Sequence, residues 1–168
     1  MSAERRLQRE RLALRGALLR LTPPLETIAE DVLGVVSRID LVARDPDGAV
    51  SVVLVAQAGE DLPRLAEGLA QRAWLAPRLP DWNQLAPPLA LAAERGVRLL
   101  LVAPRFDDRA RAAAEALGPD QVRLAELLPR GDLDVELRLL EPGPAVPPTQ
   151  PPSPSPRRET GFRTGLRD

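Results

Sequence analysis

Residues 38–59, with the sequence RIDLVARDPDGAVSVVLVAQAG, decide the fold of this 168-residue chain. Two apolar runs flank Asp45-Pro46-Asp47-Gly48, where the proline presets φ and the glycine gives the backbone the freedom to reverse. The stretch is therefore predicted to be an antiparallel β-hairpin. Because its runs are almost continuously apolar, both strands are expected to lie centrally in a sheet that is covered on both faces.

Periodic apolar patterns predict helices and strands on either side of this hairpin. The helices are predicted over residues 3–21, 24–35, 62–75, 89–95 and 104–118. Further strands are predicted over residues 97–103, 121–127 and 132–140, the last of which alternates like a half-exposed edge strand. Residues 77–88 are rich in proline and are predicted to be a connector.

The composition divides the chain into three segments. Residues 1–22 are predicted to form a basic amphipathic helix, with a stripe of leucines at positions 7, 14, 18 and 21. Residues 23–140 are predicted to form an α/β domain. From residue 141 to residue 168 the high proline content predicts an extended, disordered tail.

The residues that are missing limit the chemistry. The chain has no His, Cys or Tyr, and all 23 of its basic residues are Arg, so imidazole, thiol and amine catalysis are excluded. Zinc sites built on His or Cys, and disulfides, are excluded too. The net charge is −1, so any DNA contact has to come from local patches. No secretory signal and no apolar run of membrane-spanning length is visible, and a soluble cytoplasmic protein is expected.

The order of these elements, together with Arg38-Ile39-Asp40 before the turn at Asp47-Gly48, resembles the PD-(D/E)XK nuclease superfamily. The resemblance implies a restriction-endonuclease-like fold, a mixed central sheet flanked by helices. It also implies a site for phosphodiester cleavage, in which carboxylates hold Mg²⁺ and a lysine assists the attacking water. The similar region covers about residues 25–128.

Two carboxylates of such a site have counterparts here. The resemblance matches Asp40 to the aspartate of the first hairpin strand and Glu26, or alternatively Glu30, to an acid on the preceding helix. Each also has an ordinary structural explanation. Asp40 could pair with Arg38 or Arg44, and an acid near a helix start is favoured by the helix dipole.

The Glu-x-Lys half of the motif is missing from the second strand. Counted from the turn, its two positions fall on Leu54 and Ala56, and counted back from Gly59 they fall on Val55 and Gln57. Neither register supplies a second carboxylate, and hydrocarbon side chains do not bind Mg²⁺. No metal ion or other cofactor is therefore expected, and Asp40 is the single candidate ligand if a metal binds at all.

The leading hypothesis is a catalytically degenerate nuclease-like protein that binds DNA or acts as an interaction module. The candidate residues for DNA contact are Arg9, Arg15, Arg38 and Arg44. One alternative is an active Mg²⁺-dependent DNA endonuclease that uses relocated acids, with candidates Asp45, Asp47, Glu60 and Asp61. The other alternative is a structural or assembly protein in which residues 1–22 mediate a homodimer or bind a protein partner.

Overall fold

A computed structural model describes residues 3–35, 37–131 and 134–141, with side chains from residue 8 onward. Six strands form one mixed sheet in the order β1-β2-β3-β4-β5-β6. The strands are β1 (Glu26–Leu33), β2 (Arg38–Arg44), β3 (Val50–Val55), β4 (Val97–Ala103), β5 (Val122–Arg130) and β6 (Asp134–Leu139). The helices are α1 (Ala3–Leu19), α2 (Asp61–Leu75), α3 (Leu79–Leu85) and α4 (Asp108–Leu117). The predicted class, a mixed sheet flanked by helices, is confirmed.

The hairpin predicted for residues 38–59 forms in the structure. Strands β2 and β3 pair antiparallel from Leu41 opposite Val53 to Arg44 opposite Val50. The buried carboxylate of Asp45 closes the turn by accepting the backbone N–H groups of Asp47 and Ala49, each at 2.9 Å. Strand β3 then pairs parallel with β4, and β4 pairs parallel with β5, so the hairpin lies inside the sheet.

The prediction of a helix over residues 24–35 is wrong, because this segment forms the edge strand β1. A β-bulge shifts its register between Thr27 and Ala29, and Asp31 has a positive φ of 51°. These irregularities place Ile28, Ala29 and Val32 against the same core, at spacings that imitate one face of a helix.

Both faces of the sheet are covered. Helices α2 and α4 pack on one face, over a core that includes Leu54, Leu65 and Leu101. Helix α1 packs on the other face with Leu14, Ala17 and Leu18 buried, so α1 shares a core with the α/β domain. Of the predicted leucine stripe, Leu7 has a side chain outside the described residues.

The connector contains more structure than its prolines indicate. Residues 79–85 form helix α3, with Pro80 in the first turn, where a missing backbone N–H is tolerated. The helix predicted over residues 89–95 is wrong, since these residues contribute to two 3₁₀ turns, Pro87–Leu89 and Ala93–Arg95, separated by a left-handed Ala90 with φ of 48°.

The predicted strand over residues 97–103 is confirmed, and β6 is an edge strand as expected. The helix predicted over residues 104–118 forms as α4, with Asp107 as its N-cap. Of the tail predicted over residues 141–168, residues 142–168 lie outside the described residues. In the part of the chain that the structure describes, no helix is both long enough and apolar enough to cross a membrane.

Candidate functional site

Asp40 lies where strand β2 changes the face that it presents. Ile39 belongs to the core under α2, whereas Leu41 belongs to the core under α1, although residues two apart in a regular strand share a face. The pairing of β2 with β3 also stops at Leu41, opposite Val53. Beyond that point the N–H of Val55 donates to Oδ2 of Asp40 at 2.8 Å. The Asp40 carboxylate thus takes the place of a strand carbonyl where the two strands separate.

The same carboxylate oxygen is held by an arginine from the following helix. Nη2 of Arg64, in the first turn of α2, donates to Asp40 Oδ2 at 2.8 Å. The guanidinium also donates to the Val55 carbonyl at 3.2 Å and to Glu67 Oε2 at 2.7 Å. Burial disfavours the charged form of Arg64, but hydrogen bonds and charges of Glu67 and Asp40 outweigh burial and raise the pKa of Arg64. One fixed cation therefore serves both carboxylates.

The structure distinguishes the two registers for the missing Glu-x-Lys positions. Leu54 and Ala56 are buried in the core under α2, away from the α1 side. Val55 and Gln57 instead line a cavity together with Asp40 on the α1 side. Val55 is therefore the residue that lies where a second strand carboxylate would be needed, and it carries no ligand atom in its side chain.

This cavity, which we call the Asp40 cavity, lies between α1 and the sheet and has a volume of about 370 Å³. Its walls are mostly apolar, and its charged lining residues are Glu10, Arg11 and Asp40. Its remaining lining residues are Leu14, Leu41, Val55, Gln57, Leu127 and Val135. Two of these charges already have partners close by, because Asp40 pairs with Arg64 and Arg11 pairs with Asp31.

Glu10, on helix α1, lines the same cavity as Asp40 and was not predicted from the sequence as a site residue. Helix α1 precedes the three antiparallel strands β1, β2 and β3, whereas the helix predicted over residues 24–35, which supplied the two candidate acids, does not form. Glu26, the earlier candidate, lies on β1 and accepts from Arg44 at 2.8 Å, outside the Asp40 cavity.

Two other acids of strand β1, Glu30 and Asp31, form ion pairs with arginines of α1. Glu30 pairs with Arg15 at 2.8 Å, and Asp31 accepts two hydrogen bonds from Arg11. The hydrogen bonds from Arg11 to Asp31 outweigh partial desolvation and raise the pKa of Arg11. These pairs fix α1 against the sheet, so Glu30 has a structural partner and lies outside the Asp40 cavity.

The four arginines proposed for DNA contact differ in their surroundings. Arg15 and Arg44 pair with acids, and Arg9 also has an interaction. Arg38 is exposed at the start of β2 and has no ion pair with any described residue. None of these four arginines lines the cavity that contains Asp40.

The acids proposed as relocated ligands do not converge. Asp45 and Asp47 belong to the hairpin turn, at the far end of β2 from Asp40. Asp61 is buried and accepts the N–H of Asp107 at 2.7 Å, joining the starts of α2 and α4. Across the residues that the structure describes, no group of three or more His, Cys, Asp or Glu side chains is placed to hold a metal ion. The side chains around Asp40 therefore do not fit the Mg²⁺ site that the resemblance implies.

Comparison with known proteins gives matches in structure alone. The sequence matches no family model and no curated protein. The crystal structure of a repair endonuclease from Pyrococcus abyssi is similar at 14% identity and a TM-score of 0.46, covering 77% of this chain and 49% of that chain. The structure of an EndoMS–dsDNA2 complex is similar at 16% identity and a TM-score of 0.43, covering 74% of this chain and 46% of that one. The chain spans about half the length of these two proteins.

Proposed function

We propose that this chain is a catalytically degenerate nuclease-like domain, which uses the Asp40 cavity to bind a partner and does not cleave phosphodiesters there. The observation that supports this most strongly is the position of Arg64. Its guanidinium lies 2.8 Å from the carboxylate that a metal ion would need and is anchored by Glu67 on its other side.

The chemistry of the remaining positions supports the same conclusion. A magnesium ion needs oxygen ligands in near-octahedral geometry, and nuclease sites supply them from carboxylates. Val55 offers hydrocarbon and Gln57 offers one neutral amide at the two motif positions on the cavity side. Arg64 already neutralises Asp40, so the attraction that would draw in a dication is largely cancelled.

A cleavage assay tests the loss of activity directly. The full chain is incubated with single-stranded, branched and mismatched DNA in the presence of Mg²⁺ or Mn²⁺, with the Asp40→Ala variant as the matched control. We expect no cleavage above the background of the variant. Cutting that Asp40→Ala abolishes would contradict the proposal, and cutting that survives in the variant would favour the alternative with relocated acids.

A second candidate function, DNA binding without cleavage, is favoured by three arginines at one sheet edge. Arg38 begins β2, Arg105 follows the end of β4, and Arg109 lies in the first turn of α4. Because β2 runs opposite to the parallel strands β3 and β4, its start and their ends meet at the same edge. None of the three has an ion pair with a residue that the structure describes.

A salt titration of DNA affinity tests this candidate. If these arginines contact phosphates, replacing all three by Ala should lower the slope of log affinity against log salt by about 2–3. Arg123 is the matched control, since it also lacks an ion pair with a described residue but lies at the start of β5, on the opposite edge. Equal slopes for the triple variant and Arg123→Ala would exclude DNA binding through this edge.

A further inference from the structure

The two edges of the sheet differ in how they are protected from pairing with another chain. The edge strand β1 is irregular, because a bulge shifts its register between Thr27 and Ala29 and Asp31 has a positive φ. Such irregularities hinder an incoming strand from pairing along it. The edge strand β6 is regular, since all six of its residues pair with consecutive residues of β5. A straight edge of this kind needs other protection.

The hydrogen bonds of β6 show which of its backbone groups face outward. The N–H of Leu140 donates to the carbonyl of Leu124 at 2.9 Å, so residue 140 directs its backbone groups at β5. The direction of the backbone groups alternates along an antiparallel strand. The N–H and carbonyl groups of Val135, Leu137 and Leu139 therefore point away from β5, toward the open edge.

Side chains already occupy both outward groups of Val135. Its N–H donates to Oδ1 of Asp134 at 2.9 Å, and its carbonyl accepts from Nη2 of Arg20, the residue after α1, at 2.6 Å. The same Nη2 donates to Asp134 Oδ1 at 2.8 Å. We call this arrangement the Arg20–Asp134 cap. Among the residues that the structure describes, none caps the outward groups of Leu137 or Leu139 in this way.

We propose that the Arg20–Asp134 cap closes β6 against antiparallel pairing with a second copy of this chain. This inference goes beyond the proposed function, because it involves neither Asp40 nor cleavage. A second copy is the occupant to which the cap answers, since it presents the same regular strand at the same edge and the strand can pair with itself about a two-fold axis.

The sequence of β6 leaves one good register for such self-pairing. A two-fold axis at Glu136 or at Arg138 would place two like charges directly opposite each other, which is destabilising. An axis at Val135 or Leu139 would leave half of each strand unpaired. An axis at Leu137 places Val135 opposite Leu139 of the second copy and brings no like charges together.

The cap removes most of the hydrogen bonds of this register. With the axis at Leu137, the two strands would exchange hydrogen bonds at Leu137 and at both contacts between Val135 and Leu139. Both groups of Val135 are occupied by Asp134 and Arg20, so only the exchange at Leu137 remains. So short a pairing does not offset the translational and rotational freedom that two chains lose on association.

Sedimentation equilibrium of the full chain tests the proposal. The variant Arg20→Ala, Asp134→Ala frees both groups of Val135. The matched control is Arg15→Ala, which breaks another ion pair of α1, with Glu30 on the opposite edge. We expect the parent chain and the control to be monomeric up to about 100 μM, and the uncapped variant to associate at least about tenfold more tightly than either.

A disulfide test shows whether the association uses β6, since the chain has no cysteine of its own. In the uncapped variant, one preparation carries Glu136→Cys and a second carries Arg138→Cys, and the two are mixed. Positions 136 and 138 of two copies are directly opposite when the axis lies at Leu137, within the reach of a disulfide. Two cysteines at the same position are diagonal neighbours, at about 7–8 Å. We expect the mixed disulfide to form at least about tenfold faster than a disulfide between identical chains.

Association of the uncapped variant that is no tighter than that of Arg15→Ala would overturn the proposal. Disulfides without preference for the mixed pair would overturn it too, since a misfolded or unspecific contact has no register. A third contrary result is a mixed disulfide that forms equally fast with the cap intact. None of these results bears on cleavage at Asp40, so this proposal and the proposed function can fail separately.

Discussion

Replacing Arg64 by Ala should destabilise the domain, because two carboxylates lose their shared partner. Arg64 donates to Asp40, to Glu67 and to the carbonyl of Val55. The side chains of Arg64 and Glu67 are 21% and 19% exposed, so water replaces the lost bonds poorly. Asp40 is 34% exposed and recovers more of its hydration.

The expected loss follows from these contacts. A buried hydrogen bond to a charged group contributes about 1.5–3 kcal/mol, and an exposed pair contributes at most about 1 kcal/mol. We expect the hydrogen bond to Glu67 to contribute near the lower end of the range for buried bonds. The hydrogen bond to Asp40 should contribute an amount closer to that of an exposed pair. We expect the free energy of unfolding to fall by about 2–3 kcal/mol, which lowers Tm by about 5–10 °C for a domain of this size.

Thermal and urea unfolding of the full chain measure this loss. Arg64→Lys is the matched control, because it keeps the charge but loses the planar guanidinium whose three nitrogens reach the three acceptors in different directions. A double-mutant cycle with Asp40→Asn should give a coupling energy of about 1 kcal/mol. A loss below about 0.5 kcal/mol together with no coupling would refute the reasoning, since the pair would then behave like an ordinary surface contact.

Three further changes test other parts of the structure. Gly68→Ala should cost about 1–2 kcal/mol in chemical unfolding, because the added Cβ would lie 2.6 Å from two methyl carbons of a buried leucine on β4. Its control, Gly16→Ala, meets nothing closer than 3.6 Å and should stabilise α1 by up to about 1 kcal/mol. Asp107→Ala should cost about 1 kcal/mol in the same assay, since α4 loses its N-cap hydrogen bond. The pKa of Asp134 is lowered by the hydrogen bond from Arg20, so its contribution to stability is present above its unfolded pKa and is lost as pH falls through its folded pKa. NMR titration should show the Asp134 pKa moving back toward the ordinary value in Arg20→Ala, and an unchanged value would refute that pairing.

Local signals were enough to predict the centre of the fold. The turn at Asp45-Pro46-Asp47-Gly48 and the apolar run over residues 97–103 depend on neighbouring residues, and both appear as predicted. Strand β1 was missed because its bulge makes apolar spacing look helical. Helix α3 was missed because Pro80 was taken as a breaker, whereas it lies in the first turn.

Only the part of the candidate site that lies within the hairpin sequence could be predicted. Asp40 was singled out by its local motif and lines the cavity, but the sequence left open whether Leu54 and Ala56 or Val55 and Gln57 occupy the two missing motif positions. Glu10 and Arg64 come from two helices far from Asp40 in sequence, so only the packing of α1 and α2 brings them there. In the sequence Arg64 appears only as an arginine five residues after Gly59, and that spacing does not indicate a contact with Asp40 unless the strand geometry is known.

Calorimetric titration of the full chain with Mn²⁺ tests the central claim most directly. The comparison is the variant Val55→Glu, Gln57→Lys, Arg64→Ala, which supplies the missing carboxylate and lysine and removes the tethered cation. We predict no binding to the parent chain up to millimolar Mn²⁺ and measurable binding to the variant that Asp40→Ala abolishes. Micromolar binding to the parent that depends on Asp40 would contradict the account.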